Sequence, residues 1–336
     1  MKRWQYPDRD AWEEIARRPS RPSLEMVLEV EPILNAVREQ GDAALREYTR
    51  KFDDVAVDDL RVSANEIAGA SAKVGEELRH AIDVAVSNID RFHRECVTEE
   101  AVVETMPGVR CWRKSVPIGT VGLYVPGGSA PLFSTVLMLG IPASIAGCPR
   151  VVLVTPPDRG GRVHPAILHS AHRVGIKEVY RVGGAQAIAA LAFGTESIPR
   201  VDKIFGPGNQ YVTAAKQLAA LNGTAIDMPA GPTEVAIIAD DSCEARFTAA
   251  DILAQAEHGP DSHILFLSDD ADYVESVLGE VRRQVADLPR RAIAEASLEH
   301  GHAVTTRTTD DALDLADFYA PEHLIIATRD ADRCAD

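Results

Sequence analysis

The sequence lacks the means to tie itself together covalently or through clustered thiolates. Its five cysteines, Cys96, Cys111, Cys148, Cys243 and Cys334, are scattered, with no C-x-x-C pair. That excludes a cysteine zinc knuckle, argues against a disulfide framework and fits a reducing cytoplasm. Positive charge is also short. Lys and Arg number 35 against 51 Asp and Glu, a formal net charge of −16, which argues against nucleic acid or an anionic membrane as a partner. No apolar run reaches the length of a membrane span, and the opening MKRWQYPDRDAWEEIARR is basic at first without the apolar core of a signal peptide. Low-complexity tracts and short-period repeats are missing. So is the dinucleotide fingerprint G-x-G-x-x-G: GPGNQY begins correctly, but Tyr211 stands where its third glycine belongs.

What is present is an ordinary globular composition, 46% hydrophobic and 26% charged, over 336 residues. That length exceeds one compact core and predicts two domains. Residues 22–110 read as helical. LEMVLEVEPILNAVREQGDAALREYTRKF carries apolar positions at helical spacing, SANEI places Ser63 three before Glu66 in the form of a capping box, and GEELRHAIDVAVSNIDRFHREC is a long amphipathic stretch whose His80 and His93 read as surface residues. From about residue 115 strands and helices alternate. TVGLYV, RVVLVT, EVYRV and VDKIF are strand-like; FSTVLMLGIPASIAG (with Pro142 inside it), HPAILHSAHRVGI, AQAIAALAFG and NQYVTAAKQLAAL are helical. This alternation predicts a parallel sheet with crossover helices. A second set follows: strand TEVAIIAD, a helix over 243–258, strand SHILFL, helix DADYVESVLGEVRRQV, and strands GHAVTTRT and HLIIAT. The boundary between the two sheet modules falls near 225–235, in AIDMPAGPTE.

Three places carry residues suited to chemistry. In the first module, YVPGGSAP, RVGGAQA and FGPGNQY are Gly-rich turns after strands. Each leads into a helix N-terminus where backbone N–H groups can meet a phosphate, and equally each is ordinary turn chemistry; three on one sheet edge favour a nucleotide. In AQAEHGPDS, Gln255 and His258 stand three apart just before Gly259 and Pro260 stop the helix. They project from one face, either as ligands or as a solvated helix end with His258 near the negative pole of the dipole. In YAPEHLII, Glu322 and His323 precede an apolar strand and supply a carboxylate and an imidazole for acid–base work, or else form a charged loop. His164, His169 and His172 share one helix and are left unassigned; His263, His300 and His302 read as loop or surface residues. DSHILFLSDDAD has acidic residues after a strand but not the spacing of an EF-hand.

Taken together, VPIGTVGLYVPGG, VGGAQAIAALAFGTESIPRVDKIFGPGN, IDMPAGPTEV, AQAEHGPDS and YAPEHL make the chain resemble the histidinol dehydrogenase family over nearly its whole length. The resemblance implies an α/β fold of two incomplete Rossmann-like parallel-sheet domains with an N-terminal helical segment. It implies that 1–121 pack with 236–336 as one discontinuous domain and that 122–235 form an inserted NAD-binding domain. It implies oxidation of L-histidinol to L-histidine through an aldehyde, with two NAD and one water, by a cytoplasmic, zinc-dependent homodimer of histidine biosynthesis. Carried over position by position, Tyr124, Gln186 and Asn209 contact NAD, and Thr233, often Ser in the family, contacts substrate. Gln255 and His258 bind both Zn2+ and substrate, Glu322 and His323 are the acid–base pair, and His323 also touches substrate.

The family's later GDY and GPNHVLPT motifs, which complete the zinc shell and add substrate and dimer contacts, do not occur here. Two ligands do not complete a zinc site, so the resemblance carries the expectation of a truncated chain that by itself binds zinc poorly and turns over negligibly. Other readings are a dehydrogenase of the same fold for another small alcohol, a thiohemiacetal mechanism at Cys148, and a non-catalytic nucleotide-binding fragment. Cys148, between a helix and a buried strand in AGCPRVV, reads better as a packed, inert thiol.

Overall fold

The computed structural model describes residues 1–18, 23–97, 101–127, 131–228 and 233–335. Its strands are β1 (Lys2–Gln5), β2 (Val103–Met106), β3 (Val109–Cys111), β4 (Thr120–Tyr124), β5 (Arg150–Thr155), β6 (Glu178–Arg181), β7 (Lys203–Phe205), β8 (Ala225–Ile226), β9 (Glu234–Ala239), β10 (His263–Ser268), β11 (His302–Thr305) and β12 (His323–Ala327). The chain divides into two units, Met1–Arg21 with Gly231–Asp336 and Pro22–Ala230. The division falls within the AIDMPAGPTE stretch, of which residues 229–232 lie outside the described residues, as do residues 128–130 of the first Gly-rich turn.

In the unit Pro22–Ala230 the five-stranded sheet has the order β6-β5-β4-β7-β8, all parallel. Counted in order of appearance that is 3-2-1-4-5, the dinucleotide-binding order without its sixth strand. The strands are apolar along their length because helices cover both faces. Val152 and Val154 of β5 pack toward helices Gly184–Phe193 and Gln210–Leu221, while Leu153 packs toward Pro165–Arg173. The period of two in side-chain direction thus splits one run between two cores.

The N-terminal helices join this unit. Helix Ser23–Gln40 lays Val30, Leu34 and Val37 on the alanine-rich helices Gly184–Phe193 and Gln210–Leu221. The expected layout pairs 1–121 with 236–336; here Met1–Arg21 goes with the later segment, and the apolar stripe of 22–97 lies on the earlier sheet's helices. The capping box forms as expected, with Ser63 Oγ accepting from Glu66 N at 3.2 Å and the Glu66 carboxylate accepting from Ser63 N at 3.1 Å. An exposed antiparallel hairpin, β2–β3, was not foreseen.

In the other unit the order is β1-β11-β10-β9-β12, again all parallel. Val235, Ile237 and Ala239 of β9 face helices Ala245–Ala256 and Ala271–Val285, while Ala236 and Ile238 face helix Thr309–Tyr319 and Ile15. The edge strand β1 was not legible, since KRWQ is short and mostly polar. Two readings are overturned. His263 and His302, expected in loops or at the surface, are buried as the first residues of β10 and β11. Each finds a polar partner at Nδ1: His263 Nδ1 lies 2.7 Å from the Tyr319 hydroxyl, and Trp4 Nε1 donates to His302 Nδ1 at 2.8 Å, while His263 Nε2 is buried without one among the described residues.

Candidate functional site

In an open parallel sheet the strand ends diverge at the switch point, here between β4 and β7, and leave a crevice at the carboxyl edge. Tyr124 is the last residue of β4 and is buried. Its hydroxyl accepts from Gly184 N at 3.3 Å. Burial first, and Asp53 to a lesser degree, push its pKa up to about 12, so it stays a neutral phenol. Gly206 follows β7 at φ +129°, and a Cβ there would lie 2.1 Å from the Tyr124 carbonyl oxygen. Only glycine lets these two strand ends approach so closely. The Gly206 peptide is held from both sides: its N–H donates to Asp227 at 2.7 Å, its carbonyl accepts from the buried Lys216 ammonium at 3.0 Å, and Lys216 pairs with Asp227. Lys216 and Asp227 were not identified from sequence, where a lysine inside an apolar helix reads as one more solvated cation.

Gln186, on the first turn of helix Gly184–Phe193, is buried, and neither its amide oxygen nor its amide nitrogen has a partner among the described residues. Such an amide is costly unless something else pairs with it. Asn209 caps helix Gln210–Leu221, its Oδ1 accepting from Val212 N at 3.1 Å. Tyr124 thus ties together the turns that carry Gln186 and Asn209. The structure brings the three expected NAD contacts to one sheet edge. Cys148 lies just before β5, at the opposite, amino edge of the same sheet, partly buried against the core.

In the unit containing β9–β12 the singled-out residues gather at the amino edge of the sheet. Helix Ala245–Ala256 follows β9 and runs back beside it, so its C-terminal end returns to where β9 and β12 begin. Gln255 is buried, with no partner for its amide nitrogen among the described residues. His258 lies on the turn just past the helix, two residues beyond its last, and donates its N–H to the Gln255 carbonyl at 3.1 Å. Though one side of His258 is exposed, desolvation by its neighbours, then the imidazole of His323 and Arg290, hold its pKa below the ordinary value. Glu257 and Glu322 oppose the shift. His258, Glu322 and His323 are thereby within electrostatic reach of one another. The Glu322 carboxylate stands 3.7 Å from His323 Nδ1, an ion-pair distance and not a hydrogen bond. Thr233 precedes β9, half-buried, and its carbonyl accepts from His263 N at 3.2 Å.

Sequence reasoning missed what braces this edge. Glu234, first residue of β9, is buried and receives a two-pronged ion pair from Arg18, with Nη2 donating to Oε1 at 2.6 Å and Nε to Oε2. A metal would find an amide oxygen and an imidazole nitrogen on one turn. No group of three His, Cys, Asp or Glu stands together as a metal cluster among the described residues. The chemistry of the two donors suits zinc, but they are half of a four-coordinate shell.

The family model described as histidinol dehydrogenase matches residues 16–336. A histidinol dehydrogenase of Bacteroides thetaiotaomicron is 51% identical over 328 residues, 98% of this chain and 77% of that protein. One from Escherichia coli strain K12 is 50% identical over 326 residues, 96% of this chain and 74% of that protein. The crystal structure of a histidinol dehydrogenase from Elizabethkingia anophelis superposes with a TM-score of 0.94 at 46% identity, covering 99% of this chain and 77% of that one.

Proposed function

This chain belongs to the histidinol dehydrogenase family, an oxidoreductase family of histidine biosynthesis, and from that premise we propose that it oxidises L-histidinol to L-histidine in two steps through the aldehyde. The observation that carries this reading is the Glu322 carboxylate 3.7 Å from His323 Nδ1, at the sheet edge to which the helix end bearing Gln255 and His258 also returns. A neutral imidazole is the form that ligates a metal or takes a proton.

His323 accepts the alcohol proton as the carbon is oxidised, Glu322 takes a proton from the water that attacks the aldehyde carbon, and His323 accepts the proton of the resulting hydrate in the second oxidation. NAD, bound through Tyr124, Gln186 and Asn209, supplies the two-electron acceptor for each step; the unpartnered Gln186 amide and the close backbone approach at Gly206 fit such a ligand. Gln255 and His258 would hold zinc, with the imidazole and amine of the substrate as further donors, so that the metal orients the substrate. Thr233 contributes a hydroxyl toward the substrate. We infer a homodimer that works in a reducing cytoplasm without nucleic acid or membrane. The net charge of −16, the free cysteines and the absence, among the described residues, of any helix long and apolar enough to cross a membrane are all compatible with this.

The test is whether the purified protein with zinc reduces NAD with histidinol, which also decides the expectation of negligible turnover drawn from the missing motifs, and with what stoichiometry per histidinol. We expect His323→Gln to slow both oxidations by about 10²- to 10⁴-fold, the usual worth of a general base. Glu322→Gln should leave the first oxidation and stall the second, so that one NADH forms per histidinol and aldehyde accumulates. Two NADH per histidinol at undiminished rate in both variants would refute the assignment.

A further inference from the structure

Glu234 and Arg18 are 216 residues apart in sequence, yet they meet at the site edge. The Glu234 carboxylate accepts from Arg18 and from the Glu322 N–H, the latter at 3.3 Å. Its backbone carbonyl lies 3.2 Å from His323 Nδ1. A carbonyl oxygen has no proton to give, so in this contact His323 Nδ1 carries the hydrogen, and whenever the ring is neutral it is Nε2 that keeps the lone pair. Arg18 acts on the same segment from the other end. Its Nη2 donates to the carbonyls of Tyr319 at 2.7 Å and Ala320 at 3.0 Å, and its guanidinium lies 4.4 Å from the centre of the Tyr319 ring. Those carbonyls end helix Thr309–Tyr319, where a cation is favourable. Ala320 sits at φ +48°, a left-handed conformation that crowds its Cβ against the following carbonyl. Arg18 thus fastens a strained turn two residues before Glu322, and Glu234 fastens Glu322 and His323 themselves.

We propose that Arg18 and Glu234 are positioning residues: together they clamp the turn from Tyr319 to His323 so that His323 donates from Nδ1 to the Glu234 carbonyl and presents unprotonated Nε2 as the base. The clamp deepens the acid–base reading and rests on it for its catalytic meaning. Neither residue touches substrate or cofactor in this role. The pair is also no mere surface bridge, because the Glu234 carboxylate is buried and its two oxygens are filled by Arg18 and the Glu322 amide.

The tautomer of His323 reads the clamp directly, with or without turnover. Long-range nitrogen–proton correlation spectra of the full chain labelled with 15N-histidine identify His323 by the signal lost in His323→Gln. The unmutated chain should show the Nδ1–H tautomer. Glu234→Gln and Arg18→Lys, chosen because they keep size and leave the fold checkable by thermal unfolding, should shift His323 toward Nε2–H, the form favoured by free imidazole. In the same variants kcat for histidinol should fall by about 10- to 100-fold, the scale for lost supporting partners, with little change in KM. Glu234→Asp, which keeps the charge for Arg18, should recover part of that loss. Nε2–H in the unmutated chain, or Nδ1–H retained in folded Glu234→Gln and Arg18→Lys, would overturn the proposal. An undiminished kcat in His323→Gln would overturn the acid–base reading instead, on which the spectra do not depend.

Discussion

Gln186 shows most simply how a single side chain can be shaped for something outside the fold. Its amide is buried without any partner among the described residues. Leaving buried polar groups unpaired costs about 1 to 3 kcal/mol, whereas an apolar replacement of the same shape removes the penalty. Gln186→Met is therefore expected to keep or raise the thermal midpoint and to weaken NAD about tenfold, the equivalent of one lost hydrogen bond. Calorimetric titration with NAD beside a thermal scan checks both. A variant that lost stability and kept NAD affinity would mean that the amide serves the core. In the sequence, Gln186 is legible as part of GGAQA, but its lack of partners is not, because a side chain's isolation is set by what packs around it. Cys148 is the converse case. Its chemistry is plain from its type, and its place at the amino edge of the sheet, opposite the Gly-rich turns, leaves it no part in the chemistry proposed for them.

At the scale of elements, the sheet edge works because short connections hold strand ends at fixed separations. The turn after β7 is the clearest: Gly206 passes against the Tyr124 carbonyl and is pinned by Lys216 and Asp227. Gly206→Ala would add a methyl 2.1 Å from that oxygen, and at φ +129° no relaxation within the allowed region for a residue with a Cβ relieves it. The expected result is a loss of about 2 to 4 kcal/mol in urea unfolding, in the range of severe backbone effects, together with loss of NAD binding. An alanine variant of unchanged midpoint and NAD affinity would show that the turn can open freely. The alternation of strand and helix that builds this edge was legible from residue 115 onward, because its strands are apolar runs closed by glycine or, after β5, by Pro156 and Pro157. The edge strand β1 was not, since KRWQ becomes a strand only when β11 offers it backbone partners.

For the molecule as a whole, the buried imidazoles make stability depend on pH. Burial, followed by neighbouring positive charge, lowers the pKa of both His263 and His302 to about 4 in the folded state. Unfolded histidine titrates near 6.5. Between those values the unfolded chain binds protons that the folded chain refuses, so stability rises with pH through this window. It is complete above about pH 6.5, is lost as pH falls toward about 4 and then levels, with each histidine contributing up to about 3 kcal/mol. Urea midpoints across the window should show the slope, and a His263→Leu, His302→Leu chain should flatten it. A slope unchanged in that double variant would trace the acid sensitivity to other groups.

By itself the sequence determined two parallel α/β modules, the seam between them, the Gly-rich turns and the ordered motifs that mark the family. These are local patterns, written in residues within a few positions of one another, and hydrophobic period and turn chemistry read them directly. Only the tertiary structure decided which sheet the helices of 22–97 cover, that His263 and His302 lie inside, and that the helix end at Gln255 and His258 returns to the start of β12. It alone decided that Arg18 reaches Glu234. Such pairings depend on which surfaces complement each other across a long stretch of chain, and the spacing of residues along the sequence carries no record of that.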